Sequence, residues 1–468
     1  MREPYDIAFL GGGPAGYQGA IRAAQLGARV AVVEREFLGG VCLNWGCIPT
    51  KTVRASAETG RVMRRAKEFG FIPVEAIPDI AAIISRKERV VNSLRWGITS
   101  LFKARKIDLL EGDGTMLSPR RIEVRGKDGA QLIEATNTII TTGSRPAWLP
   151  IFPRGPRILP PDEMLKNPIL PVRLLVVGAG AVGVEMAAIF RELGSEVTLI
   201  EAQDRILAHE DGETVATLQG ILNRRKVNVL CGVTAEEVTG IEGGQRVKLS
   251  NGTELITDTI LVAVGRQRNT EGLGLDKLGV KMDHGRIVVN EYLQTSVPDL
   301  YAAGDVIGEW MLAHVAFFEG ICAAENALGQ ALGSGTPMDY RVVPRCVFSL
   351  PEYAAVGLSE EQAAASHPVK VVKFPFKSLG MGQAMGELEG MVKIITHVRT
   401  DKILGAHILG AHAAECIAEI TLAMKADLPS RMIMETIHTH PTLSEAVQEV
   451  AQALHGQAIH MPPEAVTA

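Results

Sequence analysis

The chain has 468 residues, of which 46% are hydrophobic and 22% charged, enough for roughly two to four domains with sizeable cores. Its 48 basic and 53 acidic side chains give a net charge of −5 without long runs of either sign, which argues against nucleic acid or a membrane surface as partner. The longest apolar run, residues 174–184, is shorter than the about 20 residues of a membrane span. No secretory signal pattern is present, and we expect a cytoplasmic protein.

The chain begins with a strand–helix–strand pattern. An apolar run predicts a strand to Leu10, a helix follows to about Gly27, and a second strand ends at Glu34. Three glycines form a G-x-G-x-x-G sequence between strand and helix: Gly11, Gly13 and Gly16. Glycines here permit a tight turn and let the backbone approach a pyrophosphate, which the helix N-terminus attracts. The carboxylate of Glu34 is placed to bind ribose hydroxyls.

Two cysteines follow in the sequence GGVCLNWGCIPTK, residues 39–51. Cys42 and Cys47 could be half of a zinc site, an incidental pair or a redox-active disulfide, but zinc needs further ligands and none lies nearby in sequence. Five residues along a regular helix advance ~7.5 Å, and a disulfide needs Cα atoms ~4.4–6.8 Å apart. The sulfurs can therefore meet only if the turn is distorted or Cys42 precedes the helix. Pro49 suits a first helical turn, which would favour the thiolate of Cys47, with Lys51 four residues on.

The strand–helix–strand pattern returns at residues 173–201. It carries a second set of glycines and a second closing acid: Gly178, Gly180, Gly183 and Glu201. The interval from first glycine to acid is 23 positions in both copies. One such motif could be a turn that binds nothing, but two matched copies predict two dinucleotide sites, most simply for a flavin and a nicotinamide dinucleotide. Glu201 would repel a 2′-phosphate and only Arg205 lies nearby, which favours NAD over NADP unless Glu201 merely ends a surface strand.

A further pattern lies near the C-terminus, in IHTHPTLSEAVQEV. The spacing of Thr442 and Glu445 is that of a capping box, in which the glutamate closes a helix N-terminus. Alternatively, His440 is a general base that Glu445 orients, since histidine titrates near neutral pH. Pro441 restricts the preceding residue to an extended backbone, which would help aim the ring. Spacing alone leaves both interpretations open.

The segment GGVCLNWGCIPTK closely resembles the active-site segment of the class I pyridine nucleotide–disulfide oxidoreductases, and its CLNWGCIP form is similar to that of the dihydrolipoamide dehydrogenase family. This resemblance implies an α/β fold with two Rossmann-like dinucleotide-binding domains and a C-terminal α+β dimerisation domain. The implied divisions are an FAD-binding domain at 1–150, an NAD-binding domain at 151–269, a return segment completing the FAD side at 270–340, and an interface domain at 341–468.

The resemblance also implies a set of catalytic residues: Cys42, Cys47, Lys51, Glu185, His440 and Glu445. Cys42 would attack the substrate and Cys47 would face the flavin, with Lys51 near the flavin and Glu185 near the nicotinamide. The HxHPTxSE pattern makes His440 the acid–base, serving the cysteine pair of the other subunit of a homodimer. Glu445 would be its partner and His438 supporting structure.

Cofactor-binding residues are implied by further segments, including TTGSRP, LYAAGDV, MLAH and AVGRQRNTEGLGL. FAD would contact Gly11, Gly13, Gly16, Glu34, Lys51, Gly114, Thr142, Gly143, Ser144, Asp305, Met311, Leu312, Ala313 and His314. NAD would contact Gly178, Gly180, Gly183, Glu201 and Gly265. Without the resemblance, Asp305 could equally be a turn aspartate after Gly304.

The implied reaction is oxidation of a dihydrolipoyl dithiol by NAD⁺ through FAD and the Cys42–Cys47 pair. The implied partner is the lipoyl-bearing domain of a 2-oxoacid dehydrogenase or glycine-cleavage complex, and no metal site is expected. Alternatives are an NAD(P)H-dependent reductase of another disulfide or of a metal ion, similar to mercuric reductase, or a largely structural flavoprotein subunit. Mercuric reductases carry a C-terminal cysteine pair, and no cysteine follows Cys416 here.

Several positions depart from the family pattern or stand outside it. Arg54 and Arg345 place charges where the family is usually apolar, which bears on redox potential and on the disulfide accepted. We expect His407 and His412 at the surface or an interface. The other four cysteines are expected to be inert packing residues: Cys231, Cys322, Cys346 and Cys416.

Overall fold

The computed structural model describes residues 3–329 and 335–461. Two compact units divide the chain, and each is assembled from three segments. The first unit takes Met1–Val53, Ala81–Ala147 and Gly265–Asp339; the second takes Arg54–Ile80, Trp148–Val264 and Tyr340–Ala468. In the described part of the chain, no helix is long and apolar enough to cross a membrane.

The strands of the described residues are numbered in chain order. They are β1 (Tyr5–Leu10), β2 (Val30–Glu34), β3 (Asp108–Glu111), β4 (Asp113–Ser118), β5 (Arg121–Gly126), β6 (Gly129–Ile140), β7 (Ser144–Pro146), β8 (Ile158–Leu159), β9 (Arg173–Val177), β10 (Glu196–Glu201), β11 (Val227–Cys231), β12 (Ala235–Ile241), β13 (Gly244–Leu249), β14 (Glu254–Thr257), β15 (Thr259–Val262), β16 (Arg266–Arg268), β17 (Met282–Asp283), β18 (Arg286–Ile287), β19 (Leu300–Ala302), β20 (Arg345–Val347), β21 (Glu352–Gly357), β22 (Val369–Pro375), β23 (Met391–His397) and β24 (Ile403–Gly410).

The helices are numbered in the same way. They are α1 (Pro14–Gln25), α2 (Gly40–Asn44), α3 (Cys47–Arg64), α4 (Ile80–Ala104), α5 (Pro161–Met164), α6 (Ala181–Leu193), α7 (Gly212–Arg224), α8 (Ala313–Ala327), α9 (Glu360–Ser366), α10 (Gly380–Met385), α11 (Ala413–Lys425), α12 (Ser430–Glu435) and α13 (Glu445–Leu454). Short 3₁₀ helices span Ala66–Phe69 and Phe376–Ser378.

The first unit is built on a sheet in the order β3-β2-β1-β6-β5-β4, with β19 also pairing β6. The pairs β1–β2, β1–β6, β2–β3 and β6–β19 are parallel, and β4, β5 and β6 pair antiparallel. The strands β1 and β2 are apolar almost throughout, as expected of parallel strands covered on both faces.

Two glycines let helices α1 and α8 of the first unit pack with their backbones in close approach. A Cβ on Gly19 would lie 2.6 Å from the carbonyl oxygen of Gly320. A Cβ on Gly320 would lie 2.1 Å from the carbonyl oxygen of Ala15. Any side chain at either position would force the helices apart. Because α1 begins beside the first glycine motif, this crossing also fixes where the N-terminus of α1 lies.

The second unit contains a parallel sheet in the order β11-β10-β9-β15-β8 and an antiparallel sheet β12-β13-β14. Strand β9, helix α6 and strand β10 repeat the pattern of β1, α1 and β2. Most of α6 is buried because its sequence, AVGVEMAAIFREL, is apolar on nearly every face.

A third large sheet, antiparallel and also in the second unit, has the order β20-β21-β24-β23-β22. Helices α11 and α13 pack on it through apolar residues such as Ile420 and Val450, both of which are completely buried. The predicted fold class is therefore confirmed: the chain has two sheets that each contain a parallel strand–helix–strand repeat, and a C-terminal α+β portion.

Candidate active-site elements

The two cysteines lie in different helices. Cys42 is in the short helix α2, which starts after Gly39 and Gly40 at φ of +90° and +55°, and Cys47 is the first residue of α3. The N–H of Gly46 donates to the carbonyl of Val41 at 2.7 Å and closes the turn between the helices. Of the two arrangements that could bring the sulfurs together, the structure has the one in which Cys42 precedes the regular helix.

Both cysteines are reduced and half-buried, and their side chains are hydrogen-bonded to each other. This bond, followed by burial, raises the pKa of the Cys42 thiol, while the charge of Lys51 acts in the opposite direction. The two thiols therefore share one hydrogen bond in a half-buried setting. Cys47 lies at the N-terminus of α3, a position that favours a thiolate. Such a pair is the reduced form of a disulfide.

The first glycine motif forms a tight turn that no side chain fills. Gly11 has φ of +114°, and a Cβ there would lie 2.4 Å from the carbonyl oxygen of Thr141. A Cβ on Gly16 would lie 1.9 Å from the carbonyl oxygen of Gly11. Gly13 is the N-cap of α1 and no side chain caps this helix, which leaves its N-terminus suited to a phosphate.

The second motif repeats this geometry in the second unit. Gly178 has φ of +94°, and a Cβ there would lie 2.5 Å from the carbonyl oxygen of Ala263. A Cβ on Gly183 would lie 1.8 Å from the carbonyl oxygen of Gly178. Gly180 is the N-cap of α6, again without a side-chain cap. Gly265, with φ of +118°, belongs to the first unit instead and is not grouped with these glycines.

The closing glutamates of the two motifs are held in the same way. Each carboxylate accepts one amide from the glycine turn and one from the residue two positions further along the chain. The four hydrogen bonds are Gly12 N–Glu34 Oε2 (2.7 Å), Glu36 N–Glu34 Oε1 (2.8 Å), Ala179 N–Glu201 Oε2 (2.6 Å) and Gln203 N–Glu201 Oε1 (2.9 Å). Burial raises the pKa of Glu34, and the two amides partly counter this. Both carboxylates therefore lie against their glycine turns, where a ribose would lie.

Arg205 does not offer its guanidinium to a 2′-phosphate beside Glu201. Its Nε and Nη2 donate to the carbonyl of Ala208 at 3.4 and 3.1 Å. Its other terminal nitrogen, Nη1, lies 3.5 Å from the carboxylate of Glu361. With the nearest arginine engaged in this way and a carboxylate at the end of β10, the second cradle suits NAD rather than NADP.

Asp305 is part of a polar cluster in the first unit. Its Oδ2 accepts a hydrogen bond from the Ser144 hydroxyl at 2.5 Å, and the Arg266 Nε donates to the same hydroxyl at 2.7 Å. Asp305 also acts electrostatically on the Cys42 thiol, whose pKa it helps to raise. Asp305 is therefore more than a turn aspartate. Sequence reasoning missed Arg266, because its role depends on a hydroxyl on β7, the strand that pairs with its own.

The remaining residues predicted for FAD lie in the same unit. A Cβ on Gly114 would lie 2.3 Å from Leu10 Cδ1, so this glycine lets β4 approach β1. The Thr142 hydroxyl donates to the carbonyl of Asn269 at 2.7 Å, next to Gly143 at φ of +69°. The last four residues lie at the start of α8. Met311 has φ of +47° and precedes Leu312, which is the N-cap of α8, and the first two residues of this helix are Ala313 and His314.

Glu185 is a buried carboxylate on α6. Glu185 comes two residues after Gly183 in sequence. Its Oε1 accepts a hydrogen bond from the N–H of Phe348 at 2.8 Å. This acid is 6% exposed and lies one turn into the helix that begins at the second cradle.

His440 and Glu445 form a hydrogen-bonded dyad in the second unit. His440 Nδ1 lies 2.8 Å from Glu445 Oε1, and Glu445 Oε2 accepts the N–H of Thr442 at 2.7 Å. Burial acts to raise the pKa of Glu445, but these hydrogen bonds outweigh it and the pKa falls. A carboxylate at Glu445 makes Nδ1 the donor, so neutral His440 presents a basic Nε2 on a ring that is 77% exposed.

The capping and dyad interpretations both describe Glu445, because its two oxygens have different partners. One oxygen closes the turn at Thr442 and the other holds His440. The Thr442 hydroxyl, however, donates to the carbonyl of Thr439, and Ser444 is the N-cap of α13. Only the glutamate half of the capping box is therefore formed.

The two arginines that depart from the family pattern are both neutralised within the second unit. Arg54 lies 2.9 Å from Glu352 and 3.3 Å from Glu58. Arg345 binds Glu210 through two nitrogens, at 2.9 and 3.0 Å. Neither charge is free to act on a distant group at full strength.

The expectation for one of the two histidines singled out from the sequence is wrong. His407 is completely buried, not at a surface. Its Nδ1 lies 3.0 Å from the Tyr353 hydroxyl and its Nε2 3.0 Å from the carbonyl of Leu358. Burial is the main cause lowering the pKa of His407, which is thus neutral and satisfied in the core. His412 is exposed, as expected.

Among the other cysteines, Cys322 and Cys416 behave as packing residues. Both are buried, and burial raises the pKa of each thiol to about 11. At neutral pH such thiols are protonated and unreactive. Cys231 and Cys346 are reduced and half-buried.

Comparison with known proteins identifies the family. Residues 5–320 match the pyridine nucleotide-disulphide oxidoreductase family, and residues 343–451 match its dimerisation domain. The chain belongs to this family. It is 44% identical to a dihydrolipoyl dehydrogenase from Thermus scotoductus over 98% of this chain and 99% of the relative. It is 40% identical to the dihydrolipoyl dehydrogenase of Chlamydia muridarum over 99% of both chains.

Solved structures agree with this assignment. LpdA from Mycobacterium tuberculosis superposes with a TM-score of 0.89 at 30% identity, covering 96% of this chain and 99% of LpdA. The HOCl-induced flavoprotein disulfide reductase RclA from Escherichia coli, as a Cu(II) complex, gives 0.88 at 28% identity, covering 97% and 100%. The dihydrolipoyl dehydrogenases to which this chain is similar are oxidoreductases that use FAD and NAD. The two glycine cradles, their uncapped helices and their ordered glutamates fit these dinucleotides.

Proposed function

We propose that this chain is a dihydrolipoyl dehydrogenase, which oxidises a dihydrolipoyl dithiol and passes two electrons to NAD⁺. The observation that carries the proposal is the hydrogen-bonded pair of thiols, Cys42 on α2 and Cys47 at the start of α3. The two dinucleotide cradles and the His440–Glu445 dyad supply what dithiol oxidation needs besides the thiols. Relatives at about 40% identity along the whole chain carry this name.

The proposed reaction begins with the Cys42–Cys47 disulfide. One substrate thiolate attacks the Cys42 sulfur, the bond between the cysteines breaks, and Cys47 leaves as thiolate. The second substrate thiolate closes the lipoyl disulfide and releases Cys42, which takes one proton while His440 takes the other. The products are therefore a Cys42 thiol and a Cys47 thiolate, and the hydrogen bond between the two side chains would stabilise this pair. The chemistry that bound FAD and NAD⁺ supply is acceptance of this electron pair and its transfer as hydride.

His440 is proposed as the acid–base and Glu445 as its partner. Glu445 holds the Nδ1 proton and leaves Nε2 free to accept a proton from the substrate. We propose that His440 serves the cysteine pair of the second subunit of a homodimer, which the match to the family's dimerisation domain supports. The electron donor is proposed to arrive as the lipoyl group of a separate protein of a 2-oxoacid dehydrogenase or glycine-cleavage complex.

Cofactor placement follows the two cradles. We assign FAD to the turn of Gly11, Gly13 and Gly16, with Lys51, Gly114, the residues 142–144, Asp305 and the residues 311–314 around it. We assign NAD to Gly178, Gly180, Gly183 and Glu201, with Glu185 on the helix that follows this turn. The corresponding divisions are 1–150, 151–269, 270–340 and 341–468. Unpaired Cys322 and Cys416 suit a reducing compartment, and we propose that the enzyme is cytoplasmic.

The test is reduction of NAD⁺ by dihydrolipoamide with FAD-loaded protein, alongside NADP⁺ and reduced glutathione as control substrates. We expect fast turnover that is specific for NAD⁺, and a loss of about a hundredfold or more in His440→Ala. Turnover with neither NAD⁺ nor NADP⁺, while NADH still bleaches the flavin, would refute dihydrolipoamide as the substrate and direct the search to another disulfide.

A further inference from the structure

A second histidine–carboxylate pair lies behind the dyad. Residues 436–444 connect α12 to α13 without regular structure and carry His440. The side chain of His438, two positions earlier, is only 5% exposed, whereas that of His440 is 77% exposed. His438 Nε2 lies 2.9 and 3.1 Å from the two carboxylate oxygens of Glu419, which is on α11. The loop that presents His440 is thus attached to a helix outside itself.

Both ring nitrogens of His438 have partners. Nδ1 lies 3.0 Å from the carbonyl oxygen of Thr436, and Nε2 faces the carboxylate of Glu419. His438 is thus bonded on one side to the backbone of its own loop and on the other side to a carboxylate of α11. Hydrogen bonds to a carboxylate are stronger and more directional than bonds between neutral groups.

Further contacts place this pair in a position to control the dyad. The carbonyl of Thr436 also accepts the side-chain amide of Gln448 on α13 at 2.8 Å. His438 therefore connects α11, through Glu419, to a carbonyl that α13 also holds, and α13 begins with Glu445. The charge of His438 contributes to the lowered pKa of Glu445. One residue thus restrains the backbone before His440 and favours the ionised form of its partner.

We propose that His438 and Glu419 are positioning residues, which hold the loop so that His440 keeps its hydrogen bond to Glu445 and its Nε2 stays directed at substrate. The proposal rests on the proposed function only for the identity of the substrate. The hydrogen bonds of His438 and His440 on which it is built do not depend on that function. It predicts that His438 acts on dithiol oxidation only through His440.

The first test compares His438→Asn with wild type in FAD-loaded protein. We expect kcat for dihydrolipoamide oxidation to fall about ten- to a hundredfold, because a misplaced base loses that much. KM for dihydrolipoamide and the NADH-to-dye rate, which needs no proton from a dithiol, should stay within about twofold. The matched control is His460→Asn, which removes the ion pair to Glu449 at 2.6 Å elsewhere in the same unit and should leave kcat unchanged. Equal losses of kcat in both variants, or of both activities in His438→Asn, would overturn the proposal.

A double-mutant cycle distinguishes positioning from an independent role. In a His440→Ala background, His438→Asn should cause no further loss of kcat, since there is no base left to position. A further tenfold loss in that background would overturn the proposal. Glu419→Gln is the second variant, because it preserves size while removing the carboxylate, and we expect it to reproduce the effect of His438→Asn.

The crystal structure of His438→Asn provides a readout that needs no substrate. We expect His440 to leave Glu445, so that the 2.8 Å hydrogen bond is absent. Retention of that bond would overturn the proposal, whatever the activity. Absence of dihydrolipoamide turnover in wild type would instead refute the proposed function, and this structure would still decide the positioning role.

Discussion

The ion pair between Arg54 and Glu352 gives a prediction about stability. The Arg54 side chain is 14% exposed and that of Glu352 8%, so both charges are largely removed from water. Replacing Arg54 by methionine keeps much of the side-chain volume but leaves the carboxylate with one remaining bond, from the N–H of Ala414 at 3.1 Å. Removing one partner of a buried ion pair costs about 3–5 kcal/mol, and the retained amide bond places the cost near the lower end.

The loss should depend on pH with a definite sign. Burial already raises the pKa of Glu352, and both Ala414 and Arg54 counter that rise. Without Arg54 the pKa rises further, so the folded protein favours a protonated Glu352 more than the unfolded chain does. The destabilisation of Arg54→Met is then largest at high pH. It stays constant above the new pKa and decreases by up to about 1.4 kcal/mol for each unit that the pH falls below the new pKa, until the pKa of Glu352 in wild type is reached.

The assay is thermal unfolding of FAD-loaded protein between pH 5 and 9. At pH 8 we expect the midpoint of Arg54→Met to fall by roughly 5–10 °C, with the difference from wild type narrowing at pH 5. The double variant Arg54→Met/Glu352→Gln should recover much of the loss, because no buried charge remains. Equal midpoints for wild type and Arg54→Met at pH 8, or a difference that grows at acid pH, would refute the reasoning.

The remaining predictions concern the site. Cys47→Ser should abolish dihydrolipoamide oxidation while leaving part of the NADH-to-dye activity, because dye reduction bypasses the disulfide; equal loss of both would contradict the role of the pair. Glu445→Gln should lower kcat for dithiol oxidation about a hundredfold, because Thr442 and His440 donate to different oxygens of Glu445 and one of these becomes an NH₂ group that cannot accept. An unchanged kcat would argue for capping alone. Glu201→Ser should raise KM for NAD⁺ about tenfold and narrow its advantage over NADP⁺ in steady-state assays, by removing a carboxylate from the ribose side. An unaltered KM would mean that Glu201 only ends a strand.

Much of the dinucleotide architecture was predictable from the sequence because it depends on local backbone constraints. In each motif, the first glycine has a left-handed backbone and the third glycine, in the helix, lies close to the carbonyl of the first. Side chains are therefore excluded at Gly11 and Gly16, and again at Gly178 and Gly183. These exclusions recur at fixed spacing, so the sequence displays them directly. The parallel strands could also be predicted from the sequence, because burial on both faces requires continuous apolar runs.

The sequence by itself could not decide how charged and polar groups are satisfied. Arg54 suggested a charge acting on the disulfide, but a glutamate on β21 neutralises it. His407 suggested a surface residue, but a tyrosine hydroxyl and a backbone carbonyl satisfy it inside the core. The pairing of His438 with Glu419 could not be predicted either, because the two residues lie on different elements that only the fold brings together.

Hydrogen-bond and ion-pair partners come from any segment that the fold brings near, and no spacing along the chain records them. The sequence alone therefore determined the cradles and the thiol pair, because each depends on backbone geometry or on residues a few positions apart, and it left the dyad of His440 and Glu445 as one of two interpretations. The tertiary structure decided that Cys42 precedes the helix, that Glu445 serves the turn and the base with different oxygens, and which charges are neutralised.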